Sequence, residues 1–449
     1  MHLENTADRK KREELSKTLF SLRKLYFAGI AGCGMYGLAR LASDLGFSVS
    51  GTDAQTNENT LRLEKNGIAV YSEKDGIPRD ADALVYTTAL PDAHPLLEEA
   101  RERGLSLYTR AELLGLLSDR FSVRIAVAGT HGKSSTVGML AEILRESEYA
   151  PTVLVGADLN ADEGGYRKGK GDAILLEACE YADAFLALRP THALVLNLEW
   201  EHTDYFKNEE SVRLSFQRFL SGEACLHRVV SAESGLRGST VYGTRDGLHA
   251  ECRSESNGCP LFTLMYGECS LARIALGVVG QHQVENALGA LALAQALGVS
   301  LDQATDALTR FRGVGGRMQK VKHINGVPLY LDYAHHPTEL AAALQSASLL
   351  APRIACVFEP HTYSRLRTFF KDYVSLLQGV SAVGVLPVYA AREKDDGEEN
   401  ASRLALAVGG VCLHDFSSAA AFLRMHAKKG TVLLLVGAGR VREVLPFME

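Results

Sequence analysis

The sequence predicts an α/β protein of three successive units, each built on a parallel sheet with crossover helices. Three observations predict it. Short apolar runs of strand length alternate with helix-length segments after residue 24, and parallel strands need such crossovers. Two of these runs pass directly into glycine-rich turns that open helices, at 32–37 and 129–135. A chain of 449 residues also exceeds one ordinary core, since domains run to ~100–200 residues.

The first unit, 25–121, opens with the run 25–30, a glycine-rich turn and the helical pattern 35–45. Strands follow at 47–50 and 83–86, and the pattern closes near 116–120. The second unit, 122–313, begins with the strand 123–128, which runs into GTHGKSS and the helix 136–145. Strands at 173–176 and 193–196 come next, a polar Ser/Gly/Cys-rich stretch fills 221–270, and helices cover 284–297 and 301–311. Gly313, Gly315 and Gly316 then break the helical period and mark the expected linker, because glycine frees the backbone. The third unit, 314–449, places strands at 327–333, 354–358, 383–388 and 431–436 between helices. Residues 1–24 form a charged leader without the apolar stretch of a signal peptide.

Composition narrows the function classes. Hydrophobic residues make up 46% and charged residues 23%, as in globular proteins. The formal net charge of −6 and a pI near 6.2 speak against nucleic acid or a membrane surface as the main partner. A polyanion binder carries a basic excess. No run approaches ~18 uninterrupted apolar residues, so no membrane span is expected. The eight cysteines form no CxxC pair, which favours reduced, partly buried thiols over disulfides or a zinc site. A cytoplasmic location follows as an expectation.

Gly32-Cys-Gly34-Met-Tyr-Gly37 fits GxGxxG between a strand and a helix, and Asp53 stands 21 residues beyond Gly32. Glycines let the backbone approach a diphosphate, and the helix N-terminus adds positive potential. Such a loop serves a nucleotide sugar as well as NAD, so it leaves a dehydrogenase open. Glycines required only for strand–helix packing are the plainer alternative.

Gly129-Thr130-His131-Gly132-Lys133-Ser134-Ser135 also joins a buried strand to a helix. The full GxxxxGK[ST] spacing is absent, since Val127 occupies the place of the first glycine. The remaining parts suit a triphosphate: inward N–H groups, the Lys133 charge on the β/γ-phosphates, and the Ser134 hydroxyl for Mg²⁺. Glu177 ends a strand, with Glu180 and Asp183 close by, and His202 and Asp204 follow another strand. Magnesium prefers oxygen ligands, so Ser134 and Glu177 are natural, whereas a histidine such as His202 is more often a hydrogen-bonding loop residue. In the third unit DYAHHP, EPHTYSR and YAAREKD each follow a strand, which would bring Asp332, His335, His361, Arg365, Tyr389 and Arg392 to one rim.

In this order GIAGCGMYGLA, SGTD, GTHGKSS, EACEYADAF, HTDYF, GQHQVENALGA, DYAHHPTE, FEPHTYSRL and VYAAREKD make the chain resemble the Mur ligases of bacterial cell-wall synthesis. The resemblance covers nearly everything after residue 24. DYAHHPTE together with EACEY points to the branch that joins L-alanine to UDP-N-acetylmuramate. It implies a Rossmann-like N-terminal UDP-binding domain, a central P-loop-type ATPase domain, and a C-terminal Rossmann-like domain that closes over ATP and brings the amino acid. It further implies that ATP phosphorylates the muramoyl carboxylate and that the amine of L-alanine attacks the acyl phosphate.

Carried over by position, Gly32, Gly34, Gly37, Asp53, Thr87 and Thr88 would hold the sugar nucleotide. Gly129 to Ser135, Asn286, Arg317, Asp332 and Tyr333 would hold ATP, with Asn286 reading the adenine. Lys133 would contact the transferred phosphate, Ser134 would ligand one Mg²⁺, and Glu177 and His202 a second. His361 and Arg365 would place the amino acid. The chain departs from the family pattern in Ser134-Ser135 where threonines are commoner, in the single cation of Gly316-Arg317-Met318, in Thr362 where arginine is common, and in Arg440 where an acidic residue is frequent. Two alternatives accompany this reading: the related recycling ligase that attaches a tripeptide to the same sugar nucleotide, and a non-catalytic ATP-binding regulatory module. Small-molecule substrates, no nucleic acid or membrane, and a monomer or weak homodimer complete the expectations.

Overall fold

A computed structural model of the chain describes residues 6–54, 56–88, 90–159, 163–202, 205–391, 393–394 and 400–448, with side chains from residue 10 onward. The chain falls into two compact units: 1–251 with 263–274 and 285–311, and 252–262 with 275–284 and 312–449.

The first unit carries two sheets. Strands β1 (Lys24–Ala28), β2 (Ser48–Thr52), β3 (Ala69–Tyr71), β4 (Ala83–Tyr86) and β5 (Ser106–Thr109) lie in the order β3-β2-β1-β4-β5. All four pairings are parallel. The order reverses direction at β1, so the crevice beyond β1 and β4 is a topological switch point, where ligands of open α/β sheets sit. The second sheet runs β12-β11-β10-β6-β9-β7-β8. Its strands are β6 (Val123–Ala128), β7 (Thr152–Leu154), β8 (Tyr166–Arg167), β9 (Ala173–Glu177), β10 (His192–Val195), β11 (His227–Ser231) and β12 (Thr240–Tyr242). Only β8 pairs antiparallel among these described strands. β6 lies between β9 and β10, so the segments leaving three parallel strands meet at one edge.

One apolar cluster runs through both sheets' helices. Leu38 and Leu41 of the helix Cys33–Asp44 and Leu113 and Leu117 of the helix Arg110–Ser118 share a core with Leu154, Tyr166, Phe185 and Phe216. Polar ties reinforce it: Tyr166 donates to Asp44 Oδ2 at 2.5 Å, Tyr36 to the Glu163 carbonyl at 3.1 Å, and Arg62 pairs with Asp158 at 3.1 Å. The leader contains the helix Thr6–Ser21, and Arg12 bonds both Asp119 at 2.9 Å and the Ala187 carbonyl at 2.8 Å.

A small sheet of β13 (Leu248–Ser256), β14 (Cys259–Tyr266) and β15 (Cys269–Ala275) follows in that order. The turn Asn257-Gly258 has φ of 52° and 74°, the pattern of a tight hairpin. The polar Ser/Gly/Cys-rich stretch 221–270, in which the sequence shows no strand pattern, supplies β11 to β14. Alternation was hard to see because β13 is exposed along most of its length.

The second unit holds the sheet β16-β17-β21-β18-β19-β20. Its strands are β16 (Gln319–Ile324), β17 (Val327–Asp332), β18 (Arg353–Phe358), β19 (Ala382–Val385), β20 (Val411–Cys412) and β21 (Thr431–Val436). Apolar clusters cover both faces, so central strands such as TVLLLV are apolar throughout. The expected opening strand at 327–333 is preceded by β16, which pairs antiparallel with β17. Its QKVKHI sequence is mostly half-exposed, the character of an edge. The eight cysteines are free, and among the described residues no helix is long and apolar enough to cross a membrane.

Candidate active site

The loop Gly129 to Gly132 leaves β6 at the sheet's carboxyl edge, and Gly132 caps the helix Lys133–Ile143 with φ of 82°. A Cβ on Gly132 would lie 2.2 Å from Asn286 Oδ1, so the glycine admits the start of the helix Gln283–Ala296 against the loop. Gly129, with φ of 144°, likewise has Leu196 3.0 Å from a would-be Cβ. The segment after β10 grips the loop from the other side. Asn197 accepts from the His131 N–H at 2.8 Å and donates to its carbonyl at 3.1 Å, while the Glu199 N–H donates to Thr130 Oγ1 at 2.8 Å. Thr130, Ser134 and Ser135 are buried.

Lys133 folds over its own loop. Its ammonium donates to the Gly129 carbonyl at 2.5 Å, the Thr130 carbonyl at 3.0 Å and Glu180 Oε2 at 2.9 Å. Burial opposes the positive charge, but Glu180, Cys179 and Glu177 outweigh it and hold the ammonium above the usual lysine range. Glu180 is itself buried, yet Lys133 and His202 keep its carboxyl below the usual range. Burial also pushes the neighbouring Cys179 thiol up, which suits packing rather than nucleophilic attack.

Two sets of side chains that could hold a metal ion stand beside this lysine. Ser134 Oγ donates to Glu177 Oε2 at 3.0 Å, and the same oxygen accepts from the Gly156 N–H at 2.8 Å. His202 Nε2 lies 3.5 Å from Glu180 and 3.9 Å from Glu201, and the ligand atoms of these three residues fall within 4.8 Å of one another. Such oxygen-rich sets fit Mg²⁺. The backbone is turned sharply here: Ala182, Asp183 and His202 have φ of 53°, 58° and 55°. Of the residues singled out in the sequence, Glu180 stands beside His202, and the contacts add Glu201, which carries no motif of its own. Asp183 is anchored elsewhere, accepting from Tyr205 at 3.1 Å and pairing with Arg218 at 3.3 Å. Asp204 lies outside the described residues.

The glycine loop of the first sheet has its own clamps. Asp53 accepts from the Ala31 N–H at 2.9 Å and Asn59 donates to the Ala31 carbonyl at 3.0 Å. Gly32 caps the helix Cys33–Asp44. Gly37 meets the Gly165 carbonyl 3.4 Å from a would-be Cβ, so the third glycine serves the contact with the 155–166 segment. Thr87 and Thr88 follow β4, which pairs with β1, and so stand at the same sheet edge as the loop.

In the second unit the ends of β17, β18 and β19 come together. His335 and His361 have ring centroids 5.5 Å apart, His361 and Tyr389 5.4 Å, and Arg365 Nη1 is 3.0 Å from His361 Nδ1. Arg317 lies 4.8 Å over the Tyr333 ring. Asp332 accepts from the Met318 and Ala334 N–H groups at 2.7 and 2.8 Å, and burial raises its carboxyl to about 6 despite Arg317. Burial likewise raises Glu359 to about 7 while it accepts from the Val441 N–H at 2.9 Å. Arg440 pairs with Glu443 at 2.6 Å, which gives this departure from the family pattern a local partner. Arg392 lies outside the described residues.

Three family models match the chain: "Mur ligase family, catalytic domain" at 24–122, "Mur ligase middle domain" at 127–294, and "Mur ligase, glutamate ligase domain" at 316–439. A UDP-N-acetylmuramate–L-alanine ligase of Clostridium perfringens is 35% identical over 442 residues, covering 94% of this chain and 96% of that protein. The ligase of the same name from Agathobacter rectalis is 36% identical over 441 residues, with the same two coverages of 94% and 96%. Among solved structures, the UDP-N-acetylmuramate-alanine ligase of Thermotoga maritima superposes with a TM-score of 0.82 at 25% identity, covering 95% of this chain and 98% of that one. A murein peptide ligase from Psychrobacter arcticus shares the fold, with a TM-score of 0.71 at 22% identity over 95% of this chain and 98% of its own. With relatives of this identity along almost its entire length, the chain belongs to the Mur ligase family.

Proposed function

We propose that this chain is an ATP-dependent ligase that forms an amide between the muramoyl carboxylate of UDP-N-acetylmuramate and L-alanine, in the synthesis of peptidoglycan precursors. The observation that carries the reading is the gathering of Lys133, Ser134 and Glu177 at the carboxyl edge of β6 and β9, in a chain 35% identical to a ligase of that name. Phosphoryl transfer depends on in-line positioning and on neutralising spread negative charge, not on covalent help from the protein.

In this reading Lys133 exchanges Glu180 for phosphate oxygens of ATP, and the N–H groups of 129–135 hold the phosphates. The muramoyl carboxylate attacks the γ-phosphorus, ADP leaves, and the amine of L-alanine then displaces phosphate from the acyl phosphate. Ser134 and Glu177 would hold one Mg²⁺, and Glu177 and His202, with Glu180 and Glu201 beside them, a second; bound magnesium supplies charge neutralisation on the phosphates. Asn286 reads the adenine, Arg317, Asp332 and Tyr333 approach the nucleotide, and His361 and Arg365 place the amino acid through its carboxylate. Gly32, Gly34, Gly37, Asp53, Thr87 and Thr88 belong to the sugar-nucleotide site. The domain division at 121/122 and 313/314, a cytoplasmic location and a monomer or weak homodimer go with this reading.

The test is phosphate release with each component omitted in turn. Release is expected only with ATP, Mg²⁺, UDP-N-acetylmuramate and L-alanine together. Equal release without the sugar nucleotide, or release with the tripeptide and not with L-alanine, overturns the proposal.

A further inference from the structure

Arg110 begins the helix Arg110–Ser118 directly after β5, and β5 lies beside β4, which lies beside β1. Its side chain reaches across that edge to the glycine loop. A Cβ built on Gly34 would stand 2.7 Å from Arg110 Nη1 and 3.2 Å from Cδ and Cζ, so the guanidinium covers the first turn of the helix Cys33–Asp44. It is also within electrostatic reach of Cys179, two residues beyond Glu177.

This is an unfavourable place for an isolated cation. A helix N-terminus carries the equivalent of about half a positive charge, which repels a cation and attracts an anion. Arg110 is partly buried, and among the described residues it has no carboxylate partner. The nearest helix carboxylate in sequence, Glu112, accepts from the Thr109 N–H at 2.9 Å and the Thr109 hydroxyl at 2.8 Å. Asp53 is likewise engaged with the Ala31 N–H at 2.9 Å. A doubly charged anion beside the first turn of the helix Cys33–Asp44 would meet the positive end of that helix and the fork of Arg110 at once.

We infer that Arg110 binds the diphosphate of the acceptor sugar nucleotide at the N-terminus of the helix Cys33–Asp44, next to the glycine loop. The inference rests on the sugar-nucleotide reading of this loop and adds a residue to it. Glycine at 34 then has a second use: the absence of a Cβ lets the guanidinium lie over the helix end.

The experiment is calorimetric titration of wild type, Arg110→Met and Arg110→Lys with UDP and with UMP, followed by steady-state kinetics. Losing a charge-assisted hydrogen-bonded contact weakens binding by about 10- to 100-fold. Arg110→Met is expected to lose UDP affinity by that factor and UMP affinity by less than about threefold, since UMP lacks the second phosphate. KM for the sugar nucleotide should rise by the same factor, with kcat and KM for ATP little changed. Arg110→Lys, which keeps the charge and stem but not the fork, should fall between the two and serves if the methionine variant does not fold. Wild-type UDP affinity in a folded variant, or a fall in kcat with an unchanged sugar-nucleotide KM, overturns the inference. Wild type that binds UDP without ligating L-alanine faults the proposed activity and leaves Arg110 standing.

Discussion

Lys133 and Glu180 form an ion pair 2.9 Å long with side chains only 13% and 3% exposed. Each holds the other in its charged form against the cost of burial. On the proposed function, a triphosphate entering the loop would compete with Glu180 for this ammonium, and the pair would keep the cation compensated until then. Removing one partner of such a pair leaves a buried charge, which costs about 3–5 kcal/mol.

Lys133→Ala should therefore abolish phosphate release and also lower thermal stability, with His202 the cation-forming neighbour that Glu180 keeps. The stability loss has a defined pH dependence. In wild type the depressed Glu180 pKa contributes stability above its unfolded pKa that is lost as pH falls. In the variant burial acts unopposed by the lysine, and protonating Glu180 relieves the strain. The gap in melting temperature between wild type and variant should shrink from pH 8 to pH 5. A gap that is constant with pH would contradict this account.

Glu359 makes the opposite contribution. Its folded pKa, raised to about 7 from an unperturbed 4.5, gives stability that is present below the unfolded value and lost as pH rises toward 7. Glu359→Gln keeps an acceptor for the Val441 N–H and removes the charge. Denaturant titrations should show the variant gaining up to about 3 kcal/mol on wild type between pH 5 and pH 8. Parallel stability curves across that interval would refute it.

Gly132→Ala meets two obstacles: a φ of 82° and an Asn286 oxygen 2.2 Å from the new Cβ. A strained backbone position of this kind costs about 1–3 kcal/mol. KM for ATP should rise at least tenfold while KM for L-alanine changes little. An unchanged ATP dependence would mean that the loop relaxes without consequence for the nucleotide.

The metal donors predict a graded response. Glu177→Gln and His202→Ala should each raise the Mg²⁺ concentration for half-maximal phosphate release by about tenfold or more, since weakening a ligand set lowers metal affinity on this scale. Arg218→Ala, on the exposed partner of Asp183, should leave that concentration unchanged. Identical Mg²⁺ titrations for all three variants would remove Glu177 and His202 from the metal site.

Much of this arrangement was legible because it is local. A strand, a glycine turn and a helix within GTHGKSS fix where Lys133 and Ser134 point, and Glu177 lies at the end of an apolar strand. Glu180 was less readable as the partner of Lys133, because the two are 47 residues apart and meet only through the pairing of β6 with β9. Arg110 had no local signal at all, since its neighbour Gly34 is distant in sequence and adjacent only through the order of β1, β4 and β5. The hairpin at Asn257-Gly258 did carry a readable signal, and the exposed polar strands around it concealed the alternation.

The core shared by the first two sheets bears on how the protein can be taken apart. A fragment ending near residue 122, where one family model stops, would carry Leu38, Leu41, Leu113 and Leu117 into water without Leu154, Phe185 and Phe216 to cover them. Such a piece would also lose the Tyr166–Asp44 and Arg62–Asp158 ties. Dissected there, the chain yields sticky halves, so expression of a nucleotide-binding portion has to keep both sheets on one polypeptide.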